Sequence, residues 1–250
     1  MPAGCADDEA WKGAPPLPDL EPDEVHLWRI PLAHDPRTAG KRALLLSGDE
    51  RERMSRFRFD VHRERFALRR SALRVVLGWY LDLDPKEIEF RHSARGKPEV
   101  DRGWAGRRLR FNLSDSEDLA ILGVTLDDDL GVDVERLRTI PDLDGLARRY
   151  FSPLEQADYF GLPSSDKLAG FYNCWTRKEA WLKAKGDGLS VDLRGFDVTL
   201  APGLAPRLLG VRGSPAEPQG WSFHACEPQR GFVAAVAVQR ERSRLVRLAF

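Results

Sequence analysis

The sequence predicts an α+β fold built as two similar halves, and three observations lead to this expectation. The chain has 250 residues, 42% of them hydrophobic and 31% charged, with a formal net charge of zero. That length suits one large domain or two halves, and it is enough to bury a sizeable core. Helical patterns precede strand patterns in each half, although we find no convincing sequence repeat.

The first half follows a leader, residues 1–24, whose five prolines and lack of periodicity predict disorder. Apolar residues near the helical period predict one long helix over 49–81, in a segment that is locally basic. A solvated helix face alone explains such a basic surplus about as well as a binding surface does. Short apolar runs predict strands at 25–30, 87–90 and 109–113, a loop at 93–98, and a hairpin of 119–126 with 130–134.

In the second half, three helical patterns are followed by strands. Ser152 and Glu155 have the spacing of a capping box, and Gly186 predicts the end of the third helix. The predicted helices are 141–150, 152–160 and 166–185, and the predicted strands are 192–200, 221–225, 232–239 and 245–248.

Several function classes are excluded by what the sequence lacks. No zinc-binding spacing, phosphate-binding loop, dinucleotide fingerprint or GxSxG elbow is present. The apolar runs are too short to span a membrane, and the first residues do not have the pattern of a signal peptide. Three scattered cysteines indicate a reducing, cytoplasmic setting. We therefore look for the chemistry in carboxylates and lysines.

The most informative acidic pair is Asp133 and Glu135 in the segment GVDVE. Side chains alternate along a strand, so these two carboxylates share a face while Val132 and Val134 share the other. Adjacent carboxylates repel each other, and a hard cation such as Mg²⁺ relieves that repulsion. A solvated acidic edge strand is the alternative interpretation.

A second group lies on the predicted helix over 166–185. Trp175, Glu179 and Lys183 are one turn apart on one face, so Glu179 could be a third metal ligand or a general base, and Lys183 could contact a phosphate. A surface Glu–Lys pair beside a core tryptophan is the alternative. Two weaker segments are RGKP at 95–98, which could hold Lys97 toward an anion, and FNLSDS at 111–116, where a strand ends. An ordinary polar turn explains either of these two segments.

Taken in order, these segments resemble the 4′-phosphopantetheinyl transferase superfamily, of the two-lobed Sfp-like type. The family pattern GKP, FN-x-SHS, G-[IV]-D-[IV]-E and W-x-x-KE[AS]-x-x-K-x-x-G-x-GL is similar to 96–98, 111–116, 131–135 and 175–189 here. An arginine-rich segment with Arg56, Phe57, Arg65 and Arg74 is also similar to a family helix. The resemblance implies two pseudo-twofold α/β lobes, each a small antiparallel sheet with helices. It implies the active site between them, with 25–128 as the N-terminal lobe and 129–250 as the C-terminal lobe.

The resemblance also implies an activity. Phosphopantetheine would pass from coenzyme A to a serine of an apo carrier protein, releasing 3′,5′-ADP. Asp133, Glu135 and Glu179 would ligate Mg²⁺ or Mn²⁺, Glu179 would act as base, and Lys183 would offset charge on the leaving phosphate. The positions expected to bind coenzyme A are Arg53, Arg65, Lys97, Asn112, Ser114, Asp115, Lys178 and Lys183.

The chain departs from the family pattern at Asp115, where the family usually has histidine. A carboxylate there should repel the coenzyme A 3′-phosphate and weaken binding unless it points away or is salt-bridged. The expected protein is a cytoplasmic monomer that binds neither nucleic acid nor membrane, and its partner is an acyl, polyketide or peptidyl carrier protein. A silent homologue that binds carrier protein or coenzyme A, and a nucleic-acid-binding module, are the rival interpretations. The zero net charge argues against the module.

Overall fold

A computed structural model describes residues 11–13, 19–33, 35–93, 96–100, 103–104, 106–186 and 192–250. The helices are α1 (Pro36–Ala43), α2 (Gly48–Ser55), α3 (Asp60–Leu81), α4 (Leu143–Tyr150), α5 (Pro153–Phe160) and α6 (Lys167–Lys185). The strands are β1 (Lys12–Gly13), β2 (Glu24–Pro31), β3 (Arg91–His92), β4 (Pro98–Glu99), β5 (Gly103–Trp104), β6 (Arg107–Ser116), β7 (Leu119–Leu126), β8 (Leu130–Arg136), β9 (Phe196–Val198), β10 (Leu208–Val211), β11 (Ser222–Cys226), β12 (Phe232–Val238) and β13 (Arg244–Ala249). This mixed composition confirms the predicted α+β class.

The larger sheet has the strand order β1-β13-β2-β7-β6-β5. One of its faces packs on α3, whose buried side chains include Leu73, Val76 and Leu77. Residues at every second position of β6 and β7, among them Phe111 and Leu122, contribute to the same core. The helix α1 packs on α3, so the three N-terminal helices cover this side of the sheet.

The smaller sheet has the order β11-β12-β8 and packs on α6. Ala235 and Ala237 of β12 face α6, and they lie in one core cluster with Trp181 and Phe223. The alternate residues of β12, Ala234 and Val236, point the other way. This alternation lets a single strand contribute to two cores.

The two sheets pack against each other through a third core. It contains Val25, Leu27 and Ile121 from the larger sheet, and Val132 and Val134 from β8. All eight residues of β7 are buried because one face of the strand meets α3 and the other meets the smaller sheet. The layers are therefore helices, sheet, sheet and helix.

One predicted helix is two helices in the structure. The expected helix over 49–81 is interrupted between α2 and α3, where Phe59 has extended backbone angles of φ −104° and ψ 139°. The break lets Phe57 pack on Phe66, with ring centroids 5.5 Å apart. No glycine or proline lies between α2 and α3, so the sequence pattern gave no breaker signal.

Two predicted strand arrangements are wrong. β7 and β8 do not form a hairpin, because β7 pairs with β2 and β6 whereas β8 pairs with β12. The hairpin is instead β6–β7, closed by a turn in which Glu117 has a φ of 52°. The predicted strand at 87–90 also fails, since Pro85–Glu87 is a 3₁₀ turn and the strand begins only at β3.

The ends of the described chain meet in the larger sheet. β13 runs parallel to β2 and pairs with it from Arg244↔Glu24 to Ala249↔Arg29, while β1 pairs with β13. The predicted C-terminal lobe, 129–250, therefore gives its last strand to the sheet of the predicted N-terminal lobe, and the boundary after residue 128 stays a prediction. Residues 11–13 and 19–24 of the predicted disordered leader have defined structure, and its other residues lie outside the described ones. No helix among the described residues has the length and hydrophobicity needed to cross a membrane.

Candidate active site between β8 and α6

The acidic strand β8 has the alternation that its sequence predicts. Val132 and Val134 are buried in the core between the sheets, so Asp133 and Glu135 lie on the face toward α6. Asp133 is buried, with 4% of its surface exposed, and Glu135 is half-buried. The interpretation as a solvated acidic edge is therefore excluded for Asp133.

The helix α6 presents a half-exposed stripe on an otherwise buried stretch. Trp175, Glu179 and Lys183 are half-buried, whereas their neighbours Lys178, Ala180 and Leu182 are buried. Spacing of four residues places the stripe on one face of the helix. The stripe and the two carboxylates of β8 border the same region.

A glycine allows the helix and the strand to approach this closely. A Cβ atom at Gly131 would overlap the backbone carbonyl oxygen of Ala180 and the backbone nitrogen of Ala184. No other residue type lacks the Cβ, so the glycine that begins GVDVE is required by packing. It lets Lys183 reach Asp133 from the last turns of α6.

Lys183 connects three elements. Its Nζ lies 2.6 Å from Asp133 Oδ1 and 2.9 Å from Ser114 Oγ. Ser114 belongs to β6, Asp133 to β8 and Lys183 to α6. The structure thus brings together the segment GVDVE, the predicted site helix and part of the segment FNLSDS.

The carboxylates influence one another electrostatically. Burial raises the pKa of Asp133, and burial together with the nearby charge of Asp133 raises the pKa of both Glu135 and Glu179. Asp133 Oδ2 is buried and has no hydrogen-bond partner among the described residues. Repelling carboxylates with an unused buried oxygen suit a hard divalent cation. As the described residues stand, no group of three or more His, Cys, Asp or Glu side chains forms a ready metal cluster.

Three side chains of β6 connect the two sheets. Asn112 Oδ1 accepts from the backbone N–H of Val132 at 2.8 Å, and Ser114 Oγ donates to Asp133 Oδ1 at 3.1 Å. Ser116 Oγ donates to Glu135 Oε2 at 3.0 Å. In the structure, Asn112 and Ser114 therefore serve the contact between the sheets, at the positions where the sequence analysis expects coenzyme A contacts.

Lys97 also contacts this region. Its Nζ donates to the carbonyl oxygens of Leu130 at 2.8 Å and Ala184 at 3.2 Å, so it links the loop before β4 to the start of β8 and the end of α6. Burial lowers the pKa of Lys97 to about 8. Arg95, Gly188 and Leu189, which belong to the predicted motifs, lie outside the described residues.

A basic surface begins on the other face of β6. Asp115 forms an ion pair with Arg69 of α3. The guanidinium carbons of Arg69 and Arg53 each lie 5.7 Å from the ring centroid of Phe66, so Arg53 and Arg69 share one aromatic neighbour. Arg65 is half-buried on α3 one turn before Arg69. The salt bridge that would spare a bound anion from repulsion by Asp115 is thus present.

Lys178 is not placed where the sequence analysis expects it. Its Nζ lies 2.7 Å from Glu155 Oε1 and donates to the carbonyl oxygens of Leu193 and Phe196 at 2.7 and 2.6 Å. An ammonium group has three protons, so this side chain has no donor left for a ligand. Its expected role in binding coenzyme A is therefore wrong, and it is a structural residue of the smaller core.

Three of these side chains have contacts that the sequence pattern does not predict. Ser116 lies in the segment FNLSDS, where no local signal indicates its contact with Glu135. Glu155 has the predicted capping-box geometry, but its pairing with Lys178 is not part of that pattern. Arg69 was one of many arginines in a basic segment. The spacing Ser114–Ser116 opposite Asp133–Glu135 was the one available signal, since both pairs have the period of a strand.

Comparison with known proteins shows the family of the chain. A family model described as the 4′-phosphopantetheinyl transferase superfamily matches residues 129–237. The chain is 41% identical over 228 residues to 4′-phosphopantetheinyl transferase HetI of Nostoc, covering 91% of this chain and 93% of that protein. The chain belongs to the 4′-phosphopantetheinyl transferase superfamily.

Two further members of the superfamily illustrate its spread. A putative 4′-phosphopantetheinyl transferase of Synechocystis is 35% identical over 67% of each chain. 4′-Phosphopantetheinyl transferase Sfp of Bacillus subtilis is 31% identical over 62% of this chain and 66% of that protein. As a member of this superfamily, the protein is an enzyme of the transferase class. The matched range 129–237 contains Asp133, Glu135, Glu179 and Lys183, whereas the basic surface lies outside it.

Proposed function

We propose that this enzyme transfers the 4′-phosphopantetheine group of coenzyme A to a serine hydroxyl of an apo carrier protein and releases 3′,5′-ADP. The observation that carries the proposal is the meeting of Asp133, Glu135, Glu179 and Lys183 between β8 and α6. Membership of the superfamily supports the reaction class. The partner is a carrier protein of fatty-acid, polyketide or nonribosomal-peptide synthesis.

The three carboxylates would hold a magnesium ion, with Mn²⁺ as an alternative. Asp133 offers its Oδ2, which has no hydrogen-bond partner among the described residues. Burial, and then repulsion by Asp133, raises the pKa of Glu135 and Glu179, and a cation would relieve that repulsion. When bound, the cation would supply positive charge to the pyrophosphate of coenzyme A. Magnesium uses few protein carboxylates and leaves positions for water and phosphate, which suits this small set.

Glu179 would take the proton of the acceptor serine. The serine oxygen forms a bond to the phosphorus of the phosphopantetheine group, the bond from that phosphorus to the oxygen of 3′,5′-ADP breaks, and the proton passes to Glu179 directly or through water. A half-buried carboxylate with a raised pKa is a stronger base than an exposed one. The acceptor serine would enter by a groove of about 150 Å³ beside Glu135, which is lined in part by Tyr150, Tyr172 and Trp175.

Positive charge is available on both sides of the transferred group. Lys183 is next to Asp133 and would offset charge on the departing phosphate of 3′,5′-ADP. Arg53, Arg65 and Arg69 form the basic surface that would hold the 3′-phosphate end of coenzyme A. The proposed coenzyme A contacts of Lys97, Asn112 and Ser114 would replace or add to polar contacts that these side chains make within the protein.

The basic surface also suits an acidic carrier protein, because opposite charges speed association. We propose that the enzyme works in the cytoplasm as a monomer, without a nucleic-acid or membrane partner. The scattered cysteines support the reducing compartment, and the zero net charge is unfavourable for general nucleic-acid binding.

The test is intact-protein mass spectrometry of an apo carrier protein incubated with the enzyme, coenzyme A and Mg²⁺. We expect the carrier to gain one phosphopantetheine, and we expect EDTA or Glu179→Gln to abolish the gain. Glu241→Gln makes the same chemical change at an exposed position and serves as the matched control. No gain with acyl, polyketide or peptidyl carriers would identify a silent homologue. Full activity of Glu179→Gln would show that Glu179 is not the base.

A further inference from the structure

The smaller sheet ends in β8, and side chains rather than another strand cover that edge. β8 pairs on one side with β12 and has no strand partner on the other side within the described residues. The backbone N–H groups of Val132, Val134 and Arg136 donate to Asn112 Oδ1, Ser114 Oγ and Ser116 Oγ, at 2.8, 3.4 and 3.1 Å. We call these three side chains of β6 the β6 row. They satisfy donors that an uncovered strand edge would leave unpaired.

The row follows from the register of β6 and β7. Asn112, Ser114 and Ser116 pair with Gly123, Ile121 and Leu119. Ile121 and Leu119 point into the core between the two sheets, so the row points to that side as well. Asp115 lies between row residues and points to the opposite side, where it meets Arg69.

Two members of the row repeat the same double contact. Ser114 accepts from the N–H of Val134 and donates to Asp133, while Ser116 accepts from the N–H of Arg136 and donates to Glu135. A hydroxyl has one proton. With a lone pair of each serine engaged by a backbone N–H, that proton is directed to the carboxylate.

Asn112 makes only the first half of this pattern. It accepts from the N–H of Val132, and the residue before Val132 is Gly131, which has no side chain to receive a second contact. The row therefore contains a natural comparison, with two positions that hold a carboxylate and one that covers the edge alone.

We propose that Ser116 is a positioning residue that fixes Glu135 for a divalent cation, as Ser114 does for Asp133. This inference rests on the proposed function, because it assigns the cation to those carboxylates. Partners that orient a metal ligand typically change affinity 10- to 100-fold when removed. The cation site would thus depend on both sheets, since β6 orients the two carboxylates that come from β8.

The test measures binding of Mn²⁺ to the full chain without coenzyme A, by titration calorimetry and by the electron paramagnetic resonance signal of free Mn²⁺. We expect Ser116→Val to weaken binding about tenfold or more. Ser116→Thr keeps the hydroxyl on a side chain of nearly the same shape as valine. We expect its Mn²⁺ affinity to stay within about threefold of the wild type. Circular dichroism and a thermal melt of each variant establish that it is folded.

Thr125→Val is the matched control for loss of a buried hydroxyl on the larger sheet. It removes the hydrogen bond from Thr125 Oγ1 to the backbone carbonyl of Glu24 without touching a carboxylate side chain, so we expect a lowered melting temperature and unchanged Mn²⁺ binding. Wild-type Mn²⁺ binding by Ser116→Val, or equal weakening by the Val and Thr variants, would overturn the inference. If carrier modification fails while the wild type binds Mn²⁺ and Ser116→Val does not, the proposed function fails and the positioning role stands.

Discussion

Two lysine–carboxylate pairs on α6 have similar geometry and different surroundings. Lys178 Nζ is 2.7 Å from Glu155 Oε1, with side chains 1% and 0% exposed. Lys183 Nζ is 2.6 Å from Asp133 Oδ1, with side chains 31% and 5% exposed. Distance alone therefore does not separate a structural pair from a site.

The two pairs differ in how completely their polar atoms are used. Glu155 also accepts from the backbone N–H groups of Ser152 and Val198, so the inner pair is saturated by the protein. In the outer pair, Asp133 Oδ2 has no partner among the described residues, and Lys183 reaches solvent. Unused hydrogen-bonding capacity marks the outer pair as the one able to bind a ligand.

The largest effect is expected from breaking the inner pair. Lys178→Met would leave Glu155 buried without its counter-charge, and we expect the free energy of unfolding to fall by about 3–5 kcal/mol. Urea unfolding followed by circular dichroism measures this. A variant as stable as the wild type would show that the inner pair is not structural.

Breaking the outer pair should separate activity from stability. For Lys183→Met we expect turnover of the carrier protein to fall about 10²-fold or more, because a group that stabilises the leaving phosphate is lost. The free energy of unfolding should fall by at most about 2 kcal/mol, since Lys183 is partly exposed and Asp133 keeps its hydrogen bond from Ser114. A rate assay by intact mass and the same urea unfolding measure the two quantities. If Lys183→Met destabilised the protein as much as Lys178→Met and left turnover unchanged, both pairs would be structural.

Lys97 offers a pH-dependent version of the comparison. Its pKa is lowered by burial to about 8 in the folded protein, whereas an unfolded lysine titrates near about 10.4. Between these values the unfolded chain binds more protons, so Lys97 makes stability rise with pH by at most about 1.4 kcal/mol per unit. We therefore expect the change in urea midpoint from pH 8 to pH 10 to be more positive in the wild type than in Lys97→Met. Lys86→Met, at an exposed lysine, should leave the pH dependence unchanged.

The smallest effect is expected at the exposed ion pair of Arg69 and Asp115, whose side chains are 24% and 33% exposed. For Asp115→Asn we expect a change in unfolding free energy below about 1 kcal/mol, because solvent screens such pairs. The apparent Michaelis constant for coenzyme A should change less than about threefold, since Arg69 already neutralises the carboxylate. A tenfold decrease would show that Asp115 repels coenzyme A, as the sequence comparison first suggests.

Sequence periodicity predicts which side chains share a face wherever one face of a strand or helix is buried. The alternation in β8 and the helical spacing of Trp175, Glu179 and Lys183 correctly predicted which side chains share a face. The capping box at Ser152 and the glycine stop at Gly186 also have the predicted geometry. These signals are local, so no knowledge of neighbouring elements was needed.

Periodicity failed where partners distant in sequence decide the outcome. Lys178 and Lys183 have the same chemistry in the sequence, and only the contact with Glu155 shows that Lys178 is internal. The pairing of β8 with β12 rather than β7 depends on a strand that follows nearly a hundred residues later. Ser116 is likewise defined by its register against β8, which no local pattern contains.

The placement of β13 has a consequence for how the chain matures on the ribosome. β2 is synthesised long before its partner on one side, Arg244–Ala249, because the segments that form β3 to β12 lie between them in the chain. Until β13 has been made, the N–H and C=O groups on that side of β2 lack their partner strand, and such an edge favours pairing with other chains. The larger sheet is therefore completed only after β8 and α6 have been synthesised.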